Sequence, residues 1–297
     1  MRLPDWIKAE TRLNKKPLFS RSAAGVHTTK SLLRHHRLLS VCEEARCPNK
    51  DLCFAKPTAT FMILGDVCTR KCAFCAVASD PLSALIPADV DSYEPDHIAD
   101  AAREMGLKYV VITSVTRDDL PDGGADQFAT VIVTLRNLLP AIKIEVLTPD
   151  FKGNADALRA VIEAGPDVFN HNMETVERLY QVIRPQADYG RSLNVLRQVK
   201  QINADVRTKS GLMLGLGETI SEVIDLLGDL RGAGCDALTI GQYLRPTKKN
   251  QPVVEYIIPH VFDDLKEKAM ELGFCSVSSG PLVRSSMNAE EMYNRGG

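Results

Sequence analysis

Three observations predict an α/β fold class for this 297-residue chain, an open (β/α)6 partial TIM barrel. Apolar runs of strand length alternate with segments of helical periodicity six times between residues 58 and about 240, which implies a parallel sheet with right-handed crossovers. Six units are too few to close an eight-stranded barrel, so the sheet is expected to stay open and curved. The residues that carry chemistry follow the strands, where such a barrel keeps its site. An N-terminal extension is expected over 1–57, the barrel over 58–258, and a C-terminal helix and tail over 259–297.

The elements follow in order. Residues 58–64 read as an apolar strand and 109–113 as a buried one. Phe128, Val131, Ile132, Leu135, Leu138 and Leu139 recur at helical spacing over 125–139. A strand at 142–147 leads to a helix at 155–164 stopped by Gly165, then to a short strand at 168–171. Ser192 reads as the cap of a helix over 192–203, with Leu193, Leu196, Val199 and Ile202 on one face. A strand at 206–214, a helix at 221–233 and a strand at 237–240 complete the alternation. A last helix at 259–272 precedes a short extended piece around Val277.

Composition narrows the class. Thirty-six basic against 38 acidic residues give a formal net charge of -2, which excludes a strongly basic nucleic-acid coat and a strongly acidic disordered tail. No run approaches the roughly 18 apolar residues of a membrane span, and the first residues lack the apolar stretch of a secretion signal. A cytoplasmic chain is expected, with no nucleic acid and no membrane among its partners. Eight cysteines then need a reason other than disulfides, because thiols in that compartment stay reduced.

Six of the eight fall within 34 residues, as C-x4-C-x5-C (Cys42, Cys47, Cys53) and C-x3-C-x2-C (Cys68, Cys72, Cys75). A disulfide framework needs an oxidising compartment, and structural zinc needs four closed ligands, commonly in C-x2-C pairs. Iron–sulfur ligation suits two clustered trios best. Three thiolates on a four-iron cube would leave one iron open to a small molecule, as catalytic metal sites keep one position open. Cys235 and Cys275 read as small buried hydrophobes.

The trio Cys68, Cys72 and Cys75, with Phe74 immediately before the last cysteine, resembles the radical S-adenosylmethionine (SAM) superfamily, as does Gly211-Leu-Met-Leu-Gly215-Leu-Gly217-Glu218. Within it the chain resembles the lipoyl synthase family. The upstream trio Cys42, Cys47 and Cys53 carries that likeness, together with Thr113–Gly124, Glu145–Asp150, Phe169–Thr175, Arg184-Pro-x3-Tyr189 and Val283-Arg-Ser-Ser286. The likeness runs from about residue 40 to 293. Two positions depart from the family pattern: Met287 replaces a tyrosine, and Asn250-Gln-Pro-Val253 replaces His-Leu-Pro-Val.

The resemblance implies two [4Fe–4S] clusters and SAM, with sulfur inserted at C6 and C8 of a protein-bound octanoyl chain to give the lipoyl group. It assigns Cys68, Cys72 and Cys75 to the cluster that chelates SAM. Cys42, Cys47, Cys53 and the serine at Ser286 fall to an auxiliary cluster that donates sulfur, so the tail carries one of its ligands. Phe74, Thr113, Asp118, Glu145, Asn170, Arg184 and Gly215 become candidate SAM contacts. His171 reads as a core histidine. The implied partners are octanoylated lipoyl-carrier domains, of a glycine-cleavage H protein or a 2-oxoacid dehydrogenase E2, and a low-potential donor such as ferredoxin or flavodoxin. Arg245, Lys248, Lys249, Arg284 and Arg295 form a candidate basic rim for such a carrier, with a solvated charged face as the alternative. A biotin-synthase-like enzyme, an iron–sulfur electron carrier and a zinc-stabilised binding protein stand as rivals.

Overall fold

The computed structural model describes residues 3–8, 20–56, 58, 60–82 and 89–296. Parts of the expected extension, at 1–2, 9–19 and 57, and residue 59 of the first expected strand lie outside them.

The main sheet is built from β1 (Leu39–Ser40), β2 (Thr60–Ile63), β5 (Tyr109–Ser114), β6 (Lys143–Leu147), β7 (Val168–Asn170), β8 (Arg207–Leu214), β9 (Ala237–Gln242) and β10 (Ser276–Gly280), in that spatial order. All neighbours run parallel except β1, which pairs antiparallel with β2. A two-residue pair, β3 (Val67–Cys68) and β4 (Ala78–Ser79), stands apart. Strands β1 and β10 each have one sheet neighbour, so the open partial barrel expected from the alternation is what forms. The extended piece around Val277 does more than expected: it pairs in register with β9 as a seventh parallel strand.

Crossover helices cover the outer face. Helix Glu94–Glu104, which the sequence pattern did not single out, joins β2 to β5. In helix Ala125–Leu138, Phe128, Val131, Ile132 and Leu135 are fully buried, each contributing about 1.5–3 kcal/mol over an exposed position. The helix expected from Ser192 begins earlier, at Tyr189, because the Asp188 carboxylate accepts the Arg191 amide as its cap. Ser192 is instead buried within the first turn. Helix Ile220–Gly232 starts on a capping box between Thr219 and Glu222. Among the described residues no helix is long and apolar enough to cross a membrane.

The barrel interior is polar at its centre. Lys209 on β8 reaches both Glu145 oxygens on β6, at 2.9 and 3.1 Å. The same carboxylate accepts from Tyr109 Oη (2.7 Å) and Asn170 Nδ2 (2.9 Å). Burial, with the carboxylate beside it, pushes the Tyr109 phenol well above its ordinary value. Helix Ala289–Arg295 closes the N-terminal end of the strands, with Tyr293 against Tyr109 and under the Arg207 guanidinium. His171, just past β7, donates from Nδ1 to the Thr148 carbonyl (2.9 Å), and burial lowers its pKa to about 4, so it is neutral near pH 7.

Two outcomes follow. Lys209→Met would leave the Glu145 carboxylate buried without its counter-ion, and urea unfolding of the apoprotein is expected to show a loss of about 3–5 kcal/mol, partly recovered by adding Glu145→Gln. His171 takes up its proton near the ordinary 6.5 when unfolded but only near 4 when folded. Its contribution is therefore full above 6.5 and lost as pH falls toward 4, by about 3 kcal/mol. Unfolding measured across that window should show the slope in the parent chain and a shallower one in His171→Gln.

Candidate active site

The second cysteine trio sits on a loop that leaves the C-terminal end of β2. Leu64 and Gly65, both with positive φ (69° and 91°), turn the chain into β3. The pairing of β3 with β4 and the bond from Asp80 N to Cys68 O (2.9 Å) close the loop. Two amides, Arg70 N (3.4 Å) and Thr116 N (3.3 Å), donate to Cys68 Sγ. Ala73 N bonds Ile183 O (2.9 Å), and Cys75 N bonds Cys72 O (3.2 Å). Arg70 ties the loop to the barrel: its guanidinium meets both Asp118 oxygens (2.7 and 2.9 Å) and Asp150 Oδ1 (2.7 Å). Burial opposes ionisation of Asp150, but Arg70 and Arg191 hold its carboxyl below the usual carboxylate range.

Burial pushes the Cys75 thiol up to about 12, and the neighbouring Cys72 and Cys68 add to the effect. Burial raises Cys72 as well, against the pull of Arg184. A cationic centre would offset this, because binding it displaces the thiol protons to solvent. Arg184 lies beside Cys72, with one guanidinium nitrogen on the carbonyls of Asn172 (2.9 Å) and Met173 (3.1 Å), while its Nε has no partner among the described residues. Glu174 also faces Cys72 and Cys75, on a left-handed backbone (φ 66°) that a non-glycine residue adopts at a cost. Asn172 Nδ2 holds its carboxylate at 3.0 Å. Asn170 Oδ1 and His171 Nε2 are likewise buried without partners among the described residues. Orphaned polar atoms on this scale are rare in a finished core and mark room for a polar ligand.

The first trio wraps a turn beside the open edge of the sheet. Ser40 of β1 caps helix Val41–Glu44 by accepting Cys42 N (3.2 Å), and Cys47 N returns to Cys42 O (3.1 Å). Helix Lys50–Ala55 then presents Cys53. Burial pushes Cys53 up to about 12, with Cys42 and Cys47 adding to it, so the three thiols share one neighbourhood. The buried Asn49 side chain donates to Leu282 O (2.6 Å) and Met287 Sδ (3.3 Å), bringing the tail segment against this turn. Arg284 lies beside Cys47 and is half-buried, so it does not belong to the exposed basic rim expected from sequence. Ser285 is held between Asn170 Nδ2 (2.8 Å) and Asn172 Oδ1 (3.0 Å), and Ser286 follows it, half-buried.

The structure thus brings Cys68, Cys72, Cys75, Arg184 and Asn170 to one end of the barrel, and Cys42, Cys47 and Cys53 to the segment holding Ser286. Phe74, half-buried, packs against the core formed by β8, β9 and their helices. Several candidate SAM contacts are already engaged by protein. Thr113 Oγ1 donates to Leu147 O (2.9 Å), Asp118 serves Arg70, and Glu145 serves Lys209. Gly215 (φ 97°) turns where a Cβ would meet Gln242 Nε2 and Glu255 O at 2.3 Å, so only glycine fits. The sequence reading passed over Arg70, Asp150, Asn172 and Glu174, although all lie in or beside motifs it quoted.

The donor sets fit iron–sulfur clusters. All six trio cysteines are free thiols, half-buried and grouped in threes. Among the described residues no three Cys, His, Asp or Glu side chains converge tightly enough for a single metal ion. A four-iron cube spreads its thiolates across its corners, so it suits wider trios than one zinc ion does.

Residues 62–230 match the family model of the radical SAM superfamily. Solved structures share the fold: HydG, a maturase of the [FeFe]-hydrogenase, superposes with a TM-score of 0.55 over 92% of this chain and 65% of its own, at 13% identity. Streptococcus suis SuiB bound to S-adenosylmethionine gives 0.52 over 75% of this chain and 51% of its own, at 14% identity. Curated lipoyl synthases are much nearer in sequence. That of Caldicellulosiruptor bescii is 52% identical over 98% of this chain and 95% of its own length. That of Caldanaerobacter subterraneus is 50% identical over 98% and 96%. With two cysteine trios on an open barrel and likeness of this depth along nearly its whole length, the chain belongs to the lipoyl synthase family of the radical SAM superfamily.

Proposed function

We infer that this chain inserts two sulfur atoms, at C6 and C8 of an octanoyl chain held on a protein lysine, to give the lipoyl group. The observation that carries this reading is the pairing of two three-thiol sites, one at the strand ends and one beside the tail that reaches into the barrel. Saturated carbons carry no proton that a side-chain base can remove near neutral pH, so the reaction needs a bound cofactor rather than a general base. When bound, two [4Fe–4S] clusters and SAM supply the electron, the hydrogen-abstracting radical and the sulfur.

The chain's own residues have separable tasks. Cys68, Cys72 and Cys75 would hold one cluster, and the Arg70 and Thr116 amides stabilise negative charge on Cys68 Sγ. Asn170, Asn172, Glu174 and Arg184 line the adjoining polar space, and Arg184 suits the carboxylate of a bound amino-acid group. Cys42, Cys47 and Cys53 would hold the auxiliary cluster, together with Ser286. An alkoxide would be a less usual iron ligand there than a thiolate. The substrate arrives on a carrier domain, of a glycine-cleavage H protein or a 2-oxoacid dehydrogenase E2, and Lys248 and Lys249 offer it an exposed basic rim. Ferredoxin or flavodoxin provides the low-potential electron.

Anaerobic incubation of reconstituted protein with SAM, reductant and an octanoyl-lysine peptide, read by mass spectrometry, tests the reading. The parent chain should form 5′-deoxyadenosine and a dithiolated peptide. Cys68→Ala should abolish both. Cys42→Ala should keep 5′-deoxyadenosine and lose the sulfur. Ser286→Ala should reduce dithiolated product roughly ten- to a hundredfold while cleavage of SAM persists; normal yield would remove Ser286 from the auxiliary site.

A further inference from the structure

We propose that Asn250 is a positioning residue for the SAM-chelating trio, its side-chain amide bracing the loop that carries Cys72 and Cys75. The proposal rests on the reading that Cys68, Cys72 and Cys75 hold a cluster. Asn250 lies in a strap that leaves β9 after Gln242 and folds across the cysteine loop. Its Nδ2 donates to the carbonyl of Cys75 (2.7 Å) and to that of Ala73 (3.3 Å). Gln251 N reaches the same Ala73 carbonyl at 2.9 Å. On the loop's other flank Ala73 N is held by Ile183 O, so residues 73–75 are gripped from two sides.

The amide can face only one way. Thr247 Oγ1 donates to Asn250 Oδ1 (2.6 Å), which fixes the oxygen away from the loop and leaves both amide hydrogens for the two carbonyls. The strap is stiff in turn. Arg245 Nε holds the Asn250 carbonyl (2.8 Å), and Tyr243 Oη holds that of Gln251 (2.8 Å). An asparagine that merely satisfied itself on a surface turn would bond its own neighbours; this one bonds a ligand-bearing residue 175 positions away. A carbonyl held on the ligand residue itself limits how far the Cys75 side chain can swing. Neighbours of this kind typically alter metal retention when removed.

Asn250→Asp keeps the shape, removes both donors and sets a carboxylate against two carbonyls. The test uses the full chain with Cys42, Cys47 and Cys53 replaced by alanine, so that only the second trio loads iron. Asn250→Asp is expected to lose iron to a chelator roughly tenfold faster and to alter the electron paramagnetic resonance signal of the reduced protein with SAM. The melting temperature of its apoprotein should fall too little to account for that faster loss of iron. Thr247→Val, which frees the amide to rotate, should move both readouts the same way by less, and Asn250→His, which keeps a ring N–H donor, should recover most of the loss. Unchanged iron release and signal in Asn250→Asp would overturn the proposal. So would a drop in apoprotein melting temperature that accounted for the iron loss, since that marks a general structural role. A parent trio that takes up no iron would overturn the reading beneath it, and the proposal with it.

Discussion

The buried guanidinium of Arg70, shared by Asp118 and Asp150, is the interaction on which the active end depends. Arg70 stands between Cys68 and Cys72 in the sequence, whereas its two carboxylates follow β5 and β6. One side chain therefore fixes the cysteine loop to two strands. A buried ion pair repays its desolvation only when the geometry is good and the remaining oxygens are satisfied. Here Asp118 is met by a two-pronged contact and Asp150 is also held by Arg191, so both conditions are met. The result is a rigid cradle for the loop that carries Cys68, Cys72 and Cys75.

That cradle explains which parts of the site the sequence disclosed. The cysteines were legible because ligand spacing on a short loop is a local property. The strands were legible because a parallel sheet covered on its outer face needs continuous apolar runs. The roles of Asp118, Glu145 and Thr113 were not, because each depends on a partner more than 30 residues away, brought near only by the tertiary fold. Glu174 was passed over for a different reason: its left-handed backbone, which aims the carboxylate at the cysteines, leaves no mark in composition or periodicity. The extended piece around Val277 was legible but its pairing as a seventh parallel strand was not, since Ser276-Val-Ser-Ser-Gly280 is too polar to read as core.

The polar residues inside the barrel also show how the tail is held. A soluble barrel could fill its centre with hydrophobic layers and be at least as stable, since buried ion pairs add little net stability. This barrel instead keeps Lys209, Glu145 and Tyr109 in a saturated group whose remaining link, Asn170, points toward Ser285. The tail is thereby hydrogen-bonded to the middle of the barrel rather than laid over its edge.

This placement bears on how two sites could act on one substrate. Ser285 sits between Asn170 and Asn172, while Asn49 beside the first trio holds the residues flanking Ser285 at Leu282 and Met287. A single short segment thus touches both centres within six residues. Such a segment cannot shift toward one centre without straining its contacts to the other, because packed and hydrogen-bonded chain has few intermediate arrangements. Any ligand that competes for Asn170 or Asn172 would loosen Ser285 and with it the backbone that sets Ser286. The linkage is reciprocal: loss of the Asn49 contacts beside the first trio would free Ser285 and change the polar space beside Cys72. Physical continuity between the two trios is therefore carried by the tail, and the left-open edge of the barrel is what lets the tail reach in.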